Sequence, residues 1–285
     1  MIKCSKHPFR GLTFFCFALI LGFSRALYAE KIDKAPLNVR VVYYIYPPHI
    51  FEEDGQLRGA ATEVWAKVAQ KAGLEIEWIG PVPFRRAQYM LETGEVDAIM
   101  RLAKTPEREK LFVYSKEAPM WGHQGIAVLK DEPKNEIRKA EDLYDKTIGM
   151  IDGGIVPDFM VGHLKKILLE PVPADSVEIN MKKLFRKRIW GVYFVFTDVA
   201  RYYAAKENRL DEIKFLKYPG SEGFKYGYMA VSKKADPRLA KKIIKAVDAV
   251  VPTYDYEKLT QKYIDEALLK SKKTASKPDQ KPSSP

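Results

Sequence analysis

The feature that most constrains this chain is the alternation of short β-branched or aromatic runs with amphipathic helical segments from residue 37 to residue 269. "LNVRVVYYIY" from Leu37 is rich in valine and tyrosine, and "PPHIFEEDGQLRG" behind it is a proline-led loop closed by an Asp54-Gly55 turn. In "AATEVWAKVAQKAG" the residues Val64, Trp65, Val68, Ala69 and Ala72 fall on one helical stripe, and Gly73 supplies the stop. "LEIEWI" is the next strand. Pro83 opens a helix carrying Phe84, Ala87, Met90 and Leu91 on one side, Gly94 ends it, and "VDAIM" returns as a buried strand. Two successive strand-helix-strand units predict an α/β fold with mostly parallel sheets flanked by helices, joined by right-handed crossovers.

The pattern resumes after "HQGIAVLK" with "IRKAEDLYDKTIGMIDGG", a helix from near Pro157 to Leu168, a strand around Val177 and a helix around Lys182 to Lys187. The strand "GVYFVFT", the helix "DVARYYAAKE" and the strand "IKFL" follow. "YGYMAVS" reads as the partner of "GIAVLK", since both are apolar runs with a polar exit. Asp236-Pro237 caps a helix with Leu239, Ile243, Val247 and Val250 on one face, and Tyr254 to Leu269 is another, with Leu259, Tyr263 and Ala267.

Lys3, Lys6 and Arg10 precede a thirteen-residue apolar run from Gly11 to Phe23, followed by small and polar residues up to Ala29. This is the pattern of a cleavable signal peptide over residues 1–29, cut after Ala26 or Ala29, because a spanning helix needs about 20 apolar residues. Cys4 and Cys16 both fall in it, so disulfides are expected to play no part in the exported chain.

The net charge of +11 divides unevenly: residues 1–29 contribute +4, residues 270–285 another +4, and the body between them +3. A body so mildly basic does not point to nucleic acid, which needs a concentrated basic stripe with stacking aromatics. The tail "KSKKTASKPDQKPSSP" has little to bury and reads as disordered, leaving no room for a further catalytic domain. A processed chain of about 256 residues lies where single cores stop growing, so two lobes are expected.

Catalytic patterns are hard to find. His7, His49, His123 and His163 are scattered without metal-ligand spacing, "PGSEG" lacks the spacing of a nucleophile elbow, and "DGG" alone is an ordinary turn. No metal or cofactor is expected.

The order of "YPPHIFEEDGQLRG", "GEVDAIM" leading into "TPERE", "FVYSKEAP", "AEDLYDKTIGMIDGG" and "YGYMAVSKKADPRL" resembles the bacterial extracellular solute-binding proteins of family 3, over roughly Leu37 to Leu269. The resemblance implies a two-lobed periplasmic-binding-protein fold of type II. Lobe one would take residues 30–128 and 228–269, lobe two residues 129–227, with two hinge crossings and the ligand in the cleft between. It also implies a monomer that delivers a small molecule to an ABC-type permease or a membrane sensor. A few relatives on this fold are small-carboxylate dehydratases, for which Glu63, Asp152 or Asp198 would be the candidate acid or base.

Arg108 matches the family arginine that forks onto a ligand carboxylate, a task suited to a planar guanidinium that stays charged when desolvated. Tyr46 matches an aromatic packed over the ligand, and Phe84 and Arg86 resemble an aromatic and an arginine that some members carry at that helix start. Trp121 is placed like aromatics near the hinge. Asp152, Gly153 and Asp198 are the expected lobe-two contributors. The departures matter as much: Arg101 and Ala103 stand where amino-acid binders keep small hydroxyl residues, Phe196 aligns with the acid that receives an ammonium, and "DGG" lacks the usual threonine. Arginines 86, 101 and 108 therefore point to an anionic, carboxylate-bearing ligand.

Overall fold

A computed structural model of the chain describes residues 37–276. The expected signal peptide, both cysteines and residues 277–285 of the basic tail lie outside the described residues.

Two sheets organise the chain. The first contains β1 (Leu37–Val42), β4 (Leu74–Ile79), β5 (Ala98–Leu102), β6 (Phe112–Tyr114), β7 (Met120–His123) and β13 (Phe224–Ser232), in the order β4-β1-β5-β13-β6 with β7 also on β13. β1 and β5 run parallel with Val41 opposite Ala98, and β13 is antiparallel to β5, β6 and β7. Every residue of β5 is buried, which is why its sequence is a continuous apolar run broken only by Arg101. Helix α1 (Ala60–Ala72) ends at Gly73, whose φ of 63° is the left-handed conformation that glycine adopts without strain. Helices α2 (Phe84–Thr93) and α3 (Pro106–Leu111) follow β4 and β5, and β2 (Phe51–Glu53) and β3 (Gln56–Arg58) form a hairpin before α1.

The second sheet contains β8 (Gly125–Leu129), β9 (Thr147–Ile151), β10 (Leu168–Val172), β11 (Gly191–Phe194) and β12 (Ile213–Leu216), in the order β10-β9-β11-β8-β12. It buries its own core, including Ile126, Leu143, Ile148, Met160 and Leu216. Helices α4 (Asp158–Val161), α5 (Val177–Phe185) and α6 (Asp198–Lys206) belong to this half of the chain. The chain crosses between sheets at Gln124 and again over 217–223, and the Gln124 amide donates to the Gly220 carbonyl, tying one crossing to the other.

Several expectations are corrected. Both sheets are mixed rather than mostly parallel, because β8, β12 and β13 run against their neighbours. "YGYMAVS" lies in β13 and pairs in the first sheet, whereas "GIAVL" is β8 of the second, so the chain enters that sheet at Gly125. The strand expected around Val177 is β10, which tolerates Pro171 because it is a sheet edge, and Val177 opens α5. Helix α4 is only four residues long.

Helix α7 (Pro237–Val250) packs on α1, and α8 (Tyr256–Ala275) continues through the first residues of the supposed disordered tail. Lys270 there pairs with Glu53 at 2.6 Å, and the Ser271 hydroxyl donates to the Ala205 carbonyl of α6. None of the described helices is long and apolar enough to cross a membrane.

The two halves meet along α6. It packs against α8, Arg201 donates to Gln261 of α8 at 2.8 Å, and Tyr202 lies 5.4 Å from the Phe51 ring. His49, fully buried in the loop after β1, stacks between Tyr46 and Tyr256. Its Nδ1 lies 2.7 Å from the Tyr256 hydroxyl and its Nε2 3.3 Å from Asp198 Oδ1 at the start of α6. Burial pushes the imidazole below its ordinary 6.5, Asp198 pulls it back up and Arg101 adds to the lowering.

Trp65 is fully buried in α1 and donates from Nε1 to the Met100 carbonyl at 2.9 Å. Trp65→Ala is expected to lower unfolding stability by about 3–5 kcal/mol, read from urea denaturation. For His49 the folded pKa lies below the unfolded one, so protons bind preferentially to the unfolded chain and stability falls as pH drops below about 6.5. His49→Gln should flatten the loss of urea midpoint between about pH 7 and pH 5; equal pH slopes in the two proteins would refute this role.

Candidate functional site

The carboxyl ends of β5 and β9 face each other across a narrow cleft, the place where open α/β sheets take ligands. Tyr44, Tyr46, Phe84, Arg101, Ala103 and Arg108 line it from the first half, and Met150, Ile151, Gly154, Ile155, Tyr193 and Val195 from the second. The cavity measures about 50 Å³. Its lining contains two arginines and no aspartate, glutamate or histidine.

Arg101 is the fourth residue of the fully buried β5 and is itself only 7% exposed. Gly227 on neighbouring β13 makes room for it: a Cβ there would lie 2.7 Å from Arg101 Cγ. The guanidinium carbon sits 4.7 Å from the Tyr46 ring centre and 4.2 Å from that of Phe196 on the opposite half. Aromatic faces attract the cation but offer no hydrogen-bond acceptors in the guanidinium plane. Nε and Nη1 are buried without a hydrogen-bond partner in the protein. A buried cation left so is costly unless something anionic meets it.

Arg108 is positioned by the start of α3, where Thr105 caps the helix by accepting from the Arg108 amide and Pro106 takes the first turn. The half-buried guanidinium donates to the Ala103 carbonyl at 3.1 Å and to Gln88 Oε1 at 2.8 Å. Both acceptors are neutral, so they orient the fork without cancelling its charge. Burial holds its pKa below the ordinary arginine value, and neighbouring Arg101 adds to that lowering. Tyr44 packs edge-on to Phe84 at 4.8 Å and donates from its hydroxyl to the Arg101 carbonyl.

The structure therefore brings Tyr46, Phe84, Arg101 and Arg108 together. It takes Arg86 elsewhere: exposed on α2, it pairs with Glu95 at 2.7 Å and lies over Tyr89. Trp121 stacks on Tyr254 and, with Asp198, lines a separate depression on the other side of the junction. Asp198 faces His49, and Glu63 bonds to Lys262 and Tyr263. Asp152 is held by Arg85 of α2 through a two-pronged ion pair, Nε to Oδ2 at 2.7 Å and Nη2 to Oδ1 at 2.9 Å, which keeps its carboxyl below the usual range. Gly153, at φ +73°, allows this bridge, since a Cβ would lie 2.9 Å from Arg85 Cγ.

Sequence reasoning missed Tyr44 and the apolar wall of Met150, Ile151, Ile155, Tyr193 and Val195. Strand alternation would have found Tyr44, two residues before Tyr46 in a strand-like run, and likewise Tyr193 with Val195. Among the described residues no group of three or more His, Cys, Asp or Glu side chains comes together to hold a metal.

The sequence model of the bacterial extracellular solute-binding proteins, family 3, matches residues 39–266. The "Probable amino-acid-binding protein YxeM" of Bacillus subtilis is 27% identical over 252 residues, covering 86% of this chain and 90% of that protein. Among solved structures, AbpA of Streptococcus pneumoniae bound to L-arginine superposes with a TM-score of 0.67 at 19% identity, covering 83% of this chain and 97% of that one. The ancestral amino acid-binding protein AncCDT-1, a precursor of cyclohexadienyl dehydratase, gives 0.64 at 22% identity, covering 83% and 98%. At these identities the structural likeness establishes the two-lobed fold alone. With the family match spanning most of its length and a fold of the same kind, the chain belongs to the bacterial extracellular solute-binding proteins, family 3.

Proposed function

We propose that this protein is a periplasmic receptor that captures a small carboxylate-bearing metabolite in the interlobe cleft and, as a monomer, delivers it to an ABC-type permease or a membrane sensor. One observation carries the choice of ligand: Arg101 is buried with Nε and Nη1 unpartnered, beside Arg108, in a cleft whose lining contains no acid. A ligand carboxylate in that cleft would compensate the buried Arg101 charge and accept from the guanidinium donors that border it. An ammonium group would meet two cations and an apolar wall, and Phe196 instead of a carboxylate.

The relatives named for amino acids share an α-carboxylate with this class, so the reading keeps one half of their recognition and drops the other. The cleft lining also favours binding over dehydration, because no Asp, Glu or His stands where a proton would have to be taken or given.

Calorimetry with three ligands sharing one side chain separates the possibilities: an L-amino acid, its deaminated acid and its decarboxylated amine. The two acids are expected to bind and the amine not to. Binding of the amine alone would overturn the clamp. Arg108→Ala should weaken the acids by about two orders of magnitude and Arg101→Met comparably, since each removes one member of a desolvated charge pair. Arg108→Lys should recover only part of the loss, because an ammonium lacks the fork.

A further inference from the structure

The arginine cleft is the narrower of two adjoining spaces, with a cavity of about 50 Å³. Beyond it lies a chamber of about 620 Å³, and Ala103, Ile155, Tyr193 and Val195 line both spaces. Ala103 is the smallest of the four side chains that the two spaces share.

The chamber differs in chemistry from the cleft it adjoins. Tyr193, Tyr218, Tyr226 and Tyr228 contribute to its walls. The Tyr193 and Tyr218 rings stand 6.0 Å apart at 64°, and Tyr228 meets Tyr114 edge-on at 5.8 Å. Tyr226 is 51% exposed, a large ring turned to solvent at the chamber's edge. The charged side chains of the lining balance: Lys104 is paired with Glu109 at 3.0 Å, and Lys225 and Asp158 add one charge of each sign. Nothing there selects a second anionic group, whereas phenol rings favour offset or edge-on contact with another ring.

Resting on the carboxylate reading of the arginine cleft, we infer that the preferred ligand is an aryl-bearing carboxylic acid. Its acid group sits on Arg101 and Arg108, and its ring passes Ala103 to lie among the chamber tyrosines.

The test is calorimetric titration of the full exported chain with propionate, 3-phenylpropionate and nonanoate, the last matching the carbon count without a ring. 3-Phenylpropionate is expected to bind at least about tenfold more tightly than either of the others. Tyr226→Ala and Tyr228→Ala should each weaken it severalfold while leaving propionate unchanged, and unchanged propionate binding also reports that the variants are folded. Equal affinity for propionate and 3-phenylpropionate overturns the chamber subsite. Equal affinity for nonanoate and 3-phenylpropionate overturns its aromatic character. In both cases the carboxylate clamp stands. Failure of all three acids together with the amino-acid series would instead bring down the clamp, and the subsite with it.

Discussion

The structure turns on a cation placed where a strand should be apolar. Arg101 sits in the fully buried β5, and its guanidinium is pressed between Tyr46 of one half and Phe196 of the other. A charge in that position is tolerable only with compensation from surrounding groups. The two rings give part of it through their negative faces. The same side chain thus touches both halves. Gly227 on the adjoining strand is part of the arrangement, because any side chain there would meet the arginine stem.

The remaining contacts between the halves are distributed around this point. Arg85 and Asp152 bridge the cleft through two parallel hydrogen bonds, both side chains being largely exposed, so the bridge is weak and readily broken. His49, Asp198 and Tyr256 form a buried polar cluster behind Tyr46, and α8 lies along α6. Hinge closure in such folds depends on contacts made only in the closed arrangement. Here a ligand that satisfied Arg101 would add to an interface already holding stacked aromatics.

Much of the fold was legible because it rests on local patterns. The stripe of Val64, Trp65, Val68 and Ala69, the stop at Gly73, the start at Pro83 and the cap at Asp236 each specify an element by periodicity or backbone chemistry. The errors occurred where the neighbours of a strand, rather than its own residues, decide its role. β10 carries Pro171, which a strand tolerates at a sheet edge, and only its pairing with β9 shows that it is one. β8 and β13 look alike in sequence yet join different sheets, since nothing local records which partner they meet. Helix α8 runs on past Leu269 because Lys270 finds Glu53 and Ser271 finds the end of α6.

At the site, the sequence by itself determined the residue types that depart from an amino-acid binder: an arginine at position 101, an alanine at 103, a phenylalanine at 196 and an arginine at 108 that begins a capped helix. Tertiary structure alone decided which of the candidate charges face the cleft. Arg86 and Arg85 are adjacent on α2, yet one turns to Glu95 at the surface and the other reaches Asp152 across the gap. Asp198 turns to His49, and Trp121 lies behind the junction. The reason is that a side chain's direction depends on helix phase and on the partner within reach, and a partner such as Asp152, 67 residues from Arg85, is recorded by neither spacing nor composition.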